Sequence, residues 1–245
     1  MIKGIIFDLG GTLLRFTEDW DSIPRAGALA MADWYLKKKR IKVDAERLVD
    51  TFLTARLAAW ALAGQNHTEV TIEETLQQVL EKIEAPASTK AFAEAAIKVF
   101  YEHEEAAWQP FPDAIDTLKV LKGEGYRLGL FSNATNDKLV QRLINRHSLR
   151  PLLSPTFSSA AWGWRKPKPE PFQLIAERWR LPAAEIVVVG DTLSADILGA
   201  HNAGMKGILA TMDEAPSNAD HRHLRPDATI SQLAELPEVL RRFGK

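Results

Sequence analysis

Three short apolar runs, each ending abruptly in polar residues, constrain this chain more than any other feature. Ile5-Ile6-Phe7 runs into Asp8, Leu128-Gly129-Leu130-Phe131 into Ser132-Asn133, and Ile186-Val187-Val188-Val189 into Gly190-Asp191. Apolar runs that do not alternate with polar residues belong to strands covered on both faces, as in a parallel sheet flanked by helices. Two further runs, at 207–210 and more weakly at 228–230, extend the set. Amphipathic stretches separate them. Ile115, Leu118 and Leu121 share one face, with Gly123 or Gly125 to stop the helix, and Phe172, Ile175, Ala176 and Trp179 repeat that spacing. Strands alternating with helices predict an α/β fold with a doubly wound, Rossmann-like parallel sheet.

The alternation disappears between residues 17 and 107, where four helical segments and no strand are predicted. The earliest spans roughly 23–39, and Leu48, Phe52, Leu57 and Trp60 stripe the second. Thr71-Ile72-Glu73-Glu74 reads as a capping box ahead of Leu76, Val79, Leu80 and Ile83. Ser88 is the expected cap of a fourth helix carrying Phe92, Ala96, Val99 and Phe100. The chain therefore divides into an α/β core of residues 1–16 and 108–245 and an inserted all-helical cap domain of residues 17–107. Residues 215–225, with Pro216, Ser217, Asn218 and two histidines, read as a surface loop.

Composition excludes several functions. The 31 Lys and Arg against 32 Asp and Glu give no reason to expect a nucleic acid or an anionic membrane as partner. The absence of cysteine rules out disulfides, thiolate nucleophiles and thiolate metal sites. The apolar stretch at 57–64 is too short to span a bilayer, and the first residues reach Asp8 without a signal-peptide cleavage pattern, so a cytoplasmic location is expected. The six histidines have no metal-ligand spacing.

Ligands of an open parallel sheet bind beyond the carboxyl ends of its strands. Those ends carry Asp8-Leu9-Gly10-Gly11-Thr12, Ser132-Asn133 and Gly190-Asp191, with Asp196 five residues further on. Taken one at a time, each residue has a plain structural explanation, such as a helix cap, a loop hydroxyl or a solvated lysine. Together they resemble the haloacid dehalogenase-like hydrolase superfamily. Phe7-Asp8-Leu9-Gly10-Gly11-Thr12-Leu13 resembles its first motif, Ser132-Asn133 the second, and Gly163-Trp164-Arg165-Lys166-Pro167-Lys168-Pro169 the third. Gly190-Asp191-Thr192-Leu193-Ser194-Ala195-Asp196 resembles the fourth. The helical insertion after the first motif is similar to the family's helical-cap subgroup.

The resemblance implies catalytic roles for Asp8, as nucleophile, and Lys166, which offsets charge in the transition state. It implies Mg²⁺ held by Asp8, Asp191 and the main-chain carbonyl of Gly10. Phosphate contacts fall to Ser132, Asn133, Gly11 and Thr12, with Asp196 in support. The implied substrate is a small phosphorylated metabolite, hydrolysed through an aspartyl-phosphate.

One position departs from the pattern. Phosphatases of the family usually carry a second aspartate two residues after the nucleophile, as general acid and base, and this chain has Gly10 there. Three readings stay open: a substrate with a good leaving group such as an acyl phosphate, a substitute acid, or phosphate-compound binding with little turnover. Family dehalogenases also lack that aspartate, but they carry an aromatic residue in its place and lack the Asp191–Asp196 pattern. Among cap residues, Arg25 and Arg56 are candidates for an acidic substrate, with a solvated helix face as the plainer explanation for each.

Overall fold

In chain order, β1 (Gly4–Phe7) and β2 (Leu14–Phe16) lead into four helices, α1 (Ser22–Lys39), α2 (Ala45–Asn66), α3 (Ile72–Lys82) and α4 (Lys90–Ala107). There follow β3 (Trp108–Pro110), α5 (Ala114–Gly123), β4 (Arg127–Ser132), α6 (Asp137–Arg146), β5 (Thr156–Ser158), α7 (Ser159–Trp162) and α8 (Glu170–Trp179). The chain ends with β6 (Ile186–Gly190), α9 (Leu198–Asn202), β7 (Lys206–Ala210), β8 (Ala228–Ile230) and α10 (Leu236–Arg242). This computed structural model describes residues 1–39, 44–85, 89–213 and 215–243. The expected cap Ser88 lies outside them; Thr89 caps α4, its side chain accepting from the Phe92 amide.

Six strands form one parallel sheet in the order β5-β4-β1-β6-β7-β8. The chain builds outward from β1 in both directions, which places the topological switch point at its carboxyl end, the usual ligand position of such sheets. Phe7 stands opposite both Leu130 and Val189, so Asp8, Ser132 and Asp191 leave three adjacent strands at the same edge. The runs that announced the strands are buried as expected: Ile5, Ile6, Phe7, Leu130, Val187 and Val189 lie wholly inside. Trp179 covers two of these strands. A Cβ added at Gly4 would come within 2.8 Å of its ring, and one at Gly129 within 2.7 Å, so these strands carry glycine where the indole lies.

The structure adds three short strands that periodicity did not reveal. β5 is an edge strand of three residues with one apolar side chain, and β2 and β3 pair as a separate two-stranded ribbon. Residues 215–225 are not the simple surface loop expected. Pro216–His221 form a 3₁₀ helix whose Asn218 is buried.

The chain folds into two units, Met1–Phe16 with Gln109–Lys245, and Thr17–Trp108. The second unit is helical. The capping box of α3 is formed as read: the Thr71 side chain accepts from the Glu74 amide, and the Glu74 carboxylate accepts from the Thr71 amide. Phe52, Phe100 and Tyr101 stack edge to face in its interior. Gly27 lets α1 approach α4, since a Cβ there would meet the Phe100 carbonyl oxygen at 2.3 Å. Arg25 is exposed and paired with Glu46 and Asp50. Arg56 is not on a solvated face. It is buried with Glu104 at 4.0 Å, and its guanidinium stands over the rings of Trp60 and Phe100. Burial pushes the Glu104 carboxyl above the usual range, with Arg56 opposing the shift. Trp60, on the apolar stripe of α2, is exposed and stacks on Trp20.

Candidate active site

The site grows from the carboxyl end of β1. Asp8 continues that strand, its amide donating to the Val189 carbonyl at 2.9 Å, and its side chain is buried. Burial of a lone carboxylate is costly, so a cation must meet it. Lys166 supplies the cation from the loop before α8. Its ammonium donates to Asp8 Oδ1 at 2.5 Å, to Asp196 Oδ1 at 2.7 Å and to the Phe131 carbonyl at 3.2 Å. All three ammonium protons are thereby committed. Burial alone would lower the lysine pKa; Asp196 and Asp8 outweigh it and hold the group charged.

Asp196 lies in a single π-helical turn, Leu193–Ile197, an element common where a functional side chain must be re-aimed. Its second carboxylate oxygen accepts from the Thr192 amide at 3.1 Å. The carboxylate sits directly over Gly190, where a Cβ would lie 2.1 Å from Asp196 Cγ. Gly190→Ala is therefore expected to displace Asp196 from Lys166 and to cost about 1–3 kcal/mol, read as a lowered melting temperature. An unchanged melting temperature would refute this account.

Asp191 stands half-buried at the end of β6. Gly11 accommodates it: this glycine has φ of 75°, and a Cβ there would meet Asp191 Oδ2 at 2.6 Å. Burial first, then repulsion from Asp8 and Asp196, push the Asp191 carboxyl up to about 8. Asp8 is pushed up to about 6 by burial against the opposing pull of Lys166. Three carboxylates facing one lysine leave negative charge unmet, which a divalent cation would neutralise.

The donor chemistry fits Mg²⁺, a hard cation that keeps several waters and takes only one or two protein carboxylates. Among the described residues, no group of three or more His, Cys, Asp or Glu side chains could hold a metal. The rest of a shell around Asp8 and Asp191 would thus come from main-chain oxygen, water and substrate.

The other residues singled out from sequence fall into place unevenly. Ser132 is buried at the tip of β4. Asn133 grips the Lys166 main chain instead of facing outward: its Oδ1 accepts from the Lys166 amide at 2.9 Å and its Nδ2 donates to the Lys166 carbonyl at 3.2 Å. Its amide thus clamps the lysine loop. The Gly11 amide already donates to the Leu14 carbonyl at 2.7 Å, and Thr12 is wholly buried with its hydroxyl unpartnered. Gly11 also makes room for Asp191. Trp162 and Trp164, just before Lys166, are exposed, with Trp162 packed edge-on against Phe157.

Sequence reasoning missed Asn202 and Asn218. The Asn202 amide donates to the Pro167 carbonyl at 3.0 Å and so holds the lysine loop from α9. Asn218 bonds to the main chain on both sides of Thr192. No local pattern marks either residue, because each acts on a segment far away in the chain.

The chain is similar to several known proteins along most of its length. A glyceraldehyde 3-phosphate phosphatase of Methanopyrus kandleri is 28% identical over 249 residues, covering 100% of both chains. A phosphoglycolate phosphatase of Shigella boydii is 28% identical over 215 residues, covering 86% of this chain and 81% of that one. The crystal structure of a 2-haloacid dehalogenase from Pseudomonas syringae pv. Tomato DC3000 superposes with a TM-score of 0.69 at 28% identity, covering 99% of this chain and 100% of that one. Residues 2–204 match the haloacid dehalogenase-like hydrolase family. That match runs through every strand end and loop bearing Asp8, Ser132, Lys166, Asp191 and Asp196, and the chain belongs to the haloacid dehalogenase-like hydrolase family.

Proposed function

We propose that this protein is a Mg²⁺-dependent phosphohydrolase that cleaves a small phosphorylated metabolite through an aspartyl-phosphate on Asp8. The observation that carries this reading is the buried Lys166 ammonium bonded at once to Asp8 and Asp196. It holds a cation beside the carboxylate where charge would develop on a transferred phosphoryl group. The names of the phosphatase relatives support the same reaction class.

Asp8 Oδ attacks phosphorus, the bond to the leaving oxygen breaks, and the acyl phosphate left on Asp8 is hydrolysed by water to free phosphate and the carboxylate. Lys166 fixes the orientation of Asp8 and stays protonated throughout. Asp191 and the Gly10 carbonyl would join Asp8 in holding Mg²⁺, which neutralises the charge of nucleophile and phosphoryl group when bound. Ser132 would contact the phosphate from the tip of β4. Gly10 provides no side chain to protonate the departing oxygen. Leaving groups that depart as weak bases are therefore favoured, and acyl phosphates suit the site better than alkyl phosphates. The helical unit, Thr17–Trp108, is the proposed specificity element. The proposed partners are small phosphorylated molecules; among the described residues no helix is long and apolar enough to cross a membrane. A cytoplasmic location accords with this reading.

Phosphate release from acetyl phosphate, p-nitrophenyl phosphate, phosphoglycolate and glyceraldehyde 3-phosphate, with Mg²⁺ and with EDTA, tests the proposal. Release that requires the metal is the expected result. The likeness to a 2-haloacid dehalogenase supports a second reading, tested by halide release from 2-chloropropionate without metal. The reading predicts none, because Asp191 and Gly10 depart from that family's pattern. Absence of both activities would leave a phosphate-compound binding protein.

The raised carboxyl groups give a pH dependence. A carboxyl whose folded pKa lies above its unfolded value stabilises the fold at low pH. That contribution is lost as pH rises, for Asp8 through about 6 and for Asp191 through about 8. The metal-free protein is thus expected to lose stability from pH 5 to pH 8. Cation binding needs the ionised carboxylates, so apparent Mg²⁺ affinity should rise about tenfold or more from pH 6.5 to 8. Thermal shift with and without Mg²⁺ reads both trends, and a shift independent of pH would count against them.

A further inference from the structure

We infer that Asn218 is a positioning residue that aims the Asp191 carboxylate through its main chain. The inference rests on the proposed role of Asp191 as a cation ligand. It assigns a function to a segment outside the family match, which ends at residue 204. Asn218 sits on the 3₁₀ helix Pro216–His221 and is only 4% exposed. Its Nδ2 donates to the Asp191 carbonyl at 2.8 Å and its Oδ1 accepts from the Leu193 amide at 2.8 Å. The two bonds straddle Thr192 and close a ring around the segment where the chain leaves β6 and enters the π-helical turn. Leu193 is the first residue of that turn, and its amide has no partner within the turn itself.

Asp191 needs such a hold. Lys166 directs its three protons to Asp8, Asp196 and the Phe131 carbonyl, so none remains for Asp191. Asp191 is repelled by both other carboxylates and attracted by Lys166 without a hydrogen bond from it. With the Lys166 protons committed elsewhere, the main chain that bears Asp191 contributes to aiming its side chain. Asn218 restrains that main chain on both sides of Thr192. A primary amide can donate to the carbonyl from its nitrogen and accept from the amide at its oxygen, two separate atoms that reach both sides of Thr192. A carboxylate would only accept, and an aliphatic side chain would do neither.

The test compares Mg²⁺ titrations of wild type, Asn218→Ala, Asn218→Ser and Asp191→Asn, read by thermal shift and by isothermal calorimetry with MgCl₂ as the only ligand. Loss of a residue that orients a metal ligand weakens metal binding by about 10–100-fold. Asn218→Ala is thus expected to raise the Mg²⁺ dissociation constant about tenfold, with KM for acetyl phosphate at saturating Mg²⁺ nearly unchanged. Asn218→Ser carries the same measurement if the alanine variant does not fold. A lowered melting temperature with an unaltered Mg²⁺ dissociation constant would overturn the inference and leave Asn218 a purely structural residue. If wild type and Asp191→Asn respond to Mg²⁺ alike, the cation site itself is wrong, and this inference goes with it. A wild-type response lost in Asp191→Asn but unchanged in both Asn218 variants would sink the inference alone.

Discussion

Asp8→Asn is expected to lower phosphate release by on the order of 10⁴-fold or more while leaving the metal-free fold intact. The amide cannot attack phosphorus, and no neighbouring carboxylate can replace it. Asp196 is tied to Lys166 and the Thr192 amide, and Asp191 lies over Gly11. The structural consequence runs in the opposite direction. Asp8 is a buried carboxylate whose pKa burial raises to about 6, so near neutral pH the fold carries a charge it would hold more comfortably neutral. Lys166 keeps Asp196 as a 2.7 Å partner in the variant, which avoids leaving an unpaired buried cation. The metal-free variant should therefore melt at or above the wild-type temperature at pH 8, and its stabilisation by Mg²⁺ should be much reduced. Initial rates on acetyl phosphate and melting curves with EDTA check the two halves separately. Residual activity within tenfold of wild type would remove Asp8 from the role of nucleophile.

Gly10→Asp is expected to act as a gain of function, and a selective one. If the missing carboxyl limits departure of a basic leaving oxygen, restoring it should raise turnover of an alkyl phosphate by about 10²-fold. Acetyl phosphate, whose leaving group needs little protonation, should change by no more than a few-fold. The backbone should accept the substitution. Gly11 is the left-handed residue of this turn, with φ of 75°, and Gly10 is not among the positive-φ glycines. Gly10 forms an isolated β-bridge with Leu14. The discriminating number is the ratio of the two kcat/KM changes. Equal gains, or losses on both substrates, would show that leaving-group protonation is not what Gly10 limits.

Much of this site was legible along the chain because its parts end secondary-structure elements. An unbroken apolar run identifies a buried parallel strand, and the next polar residue must emerge at the sheet edge, so Asp8, Ser132 and Asp191 could be placed without coordinates. The capping box at Thr71 was equally legible, since its two bonds join residues three apart. Short strands such as β5 were not. Three residues carry too little periodicity, and their pairing partner is distant in sequence.

The α/β class, the strand ends that bear the site residues and the identity of the charged groups thus follow from local periodicity and from which residue terminates each run. Tertiary packing sets what those groups do to one another. It set the Asn133 amide as a clamp on Lys166, buried Arg56 against Glu104, and brought Asn218 from a segment read as loop onto the main chain of Asp191. Each of these pairings joins residues far apart in the chain. A polar side chain taken out of water is stabilised only by the partner it actually meets. Local pattern says that a partner is needed, and the packing of distant segments chooses which one.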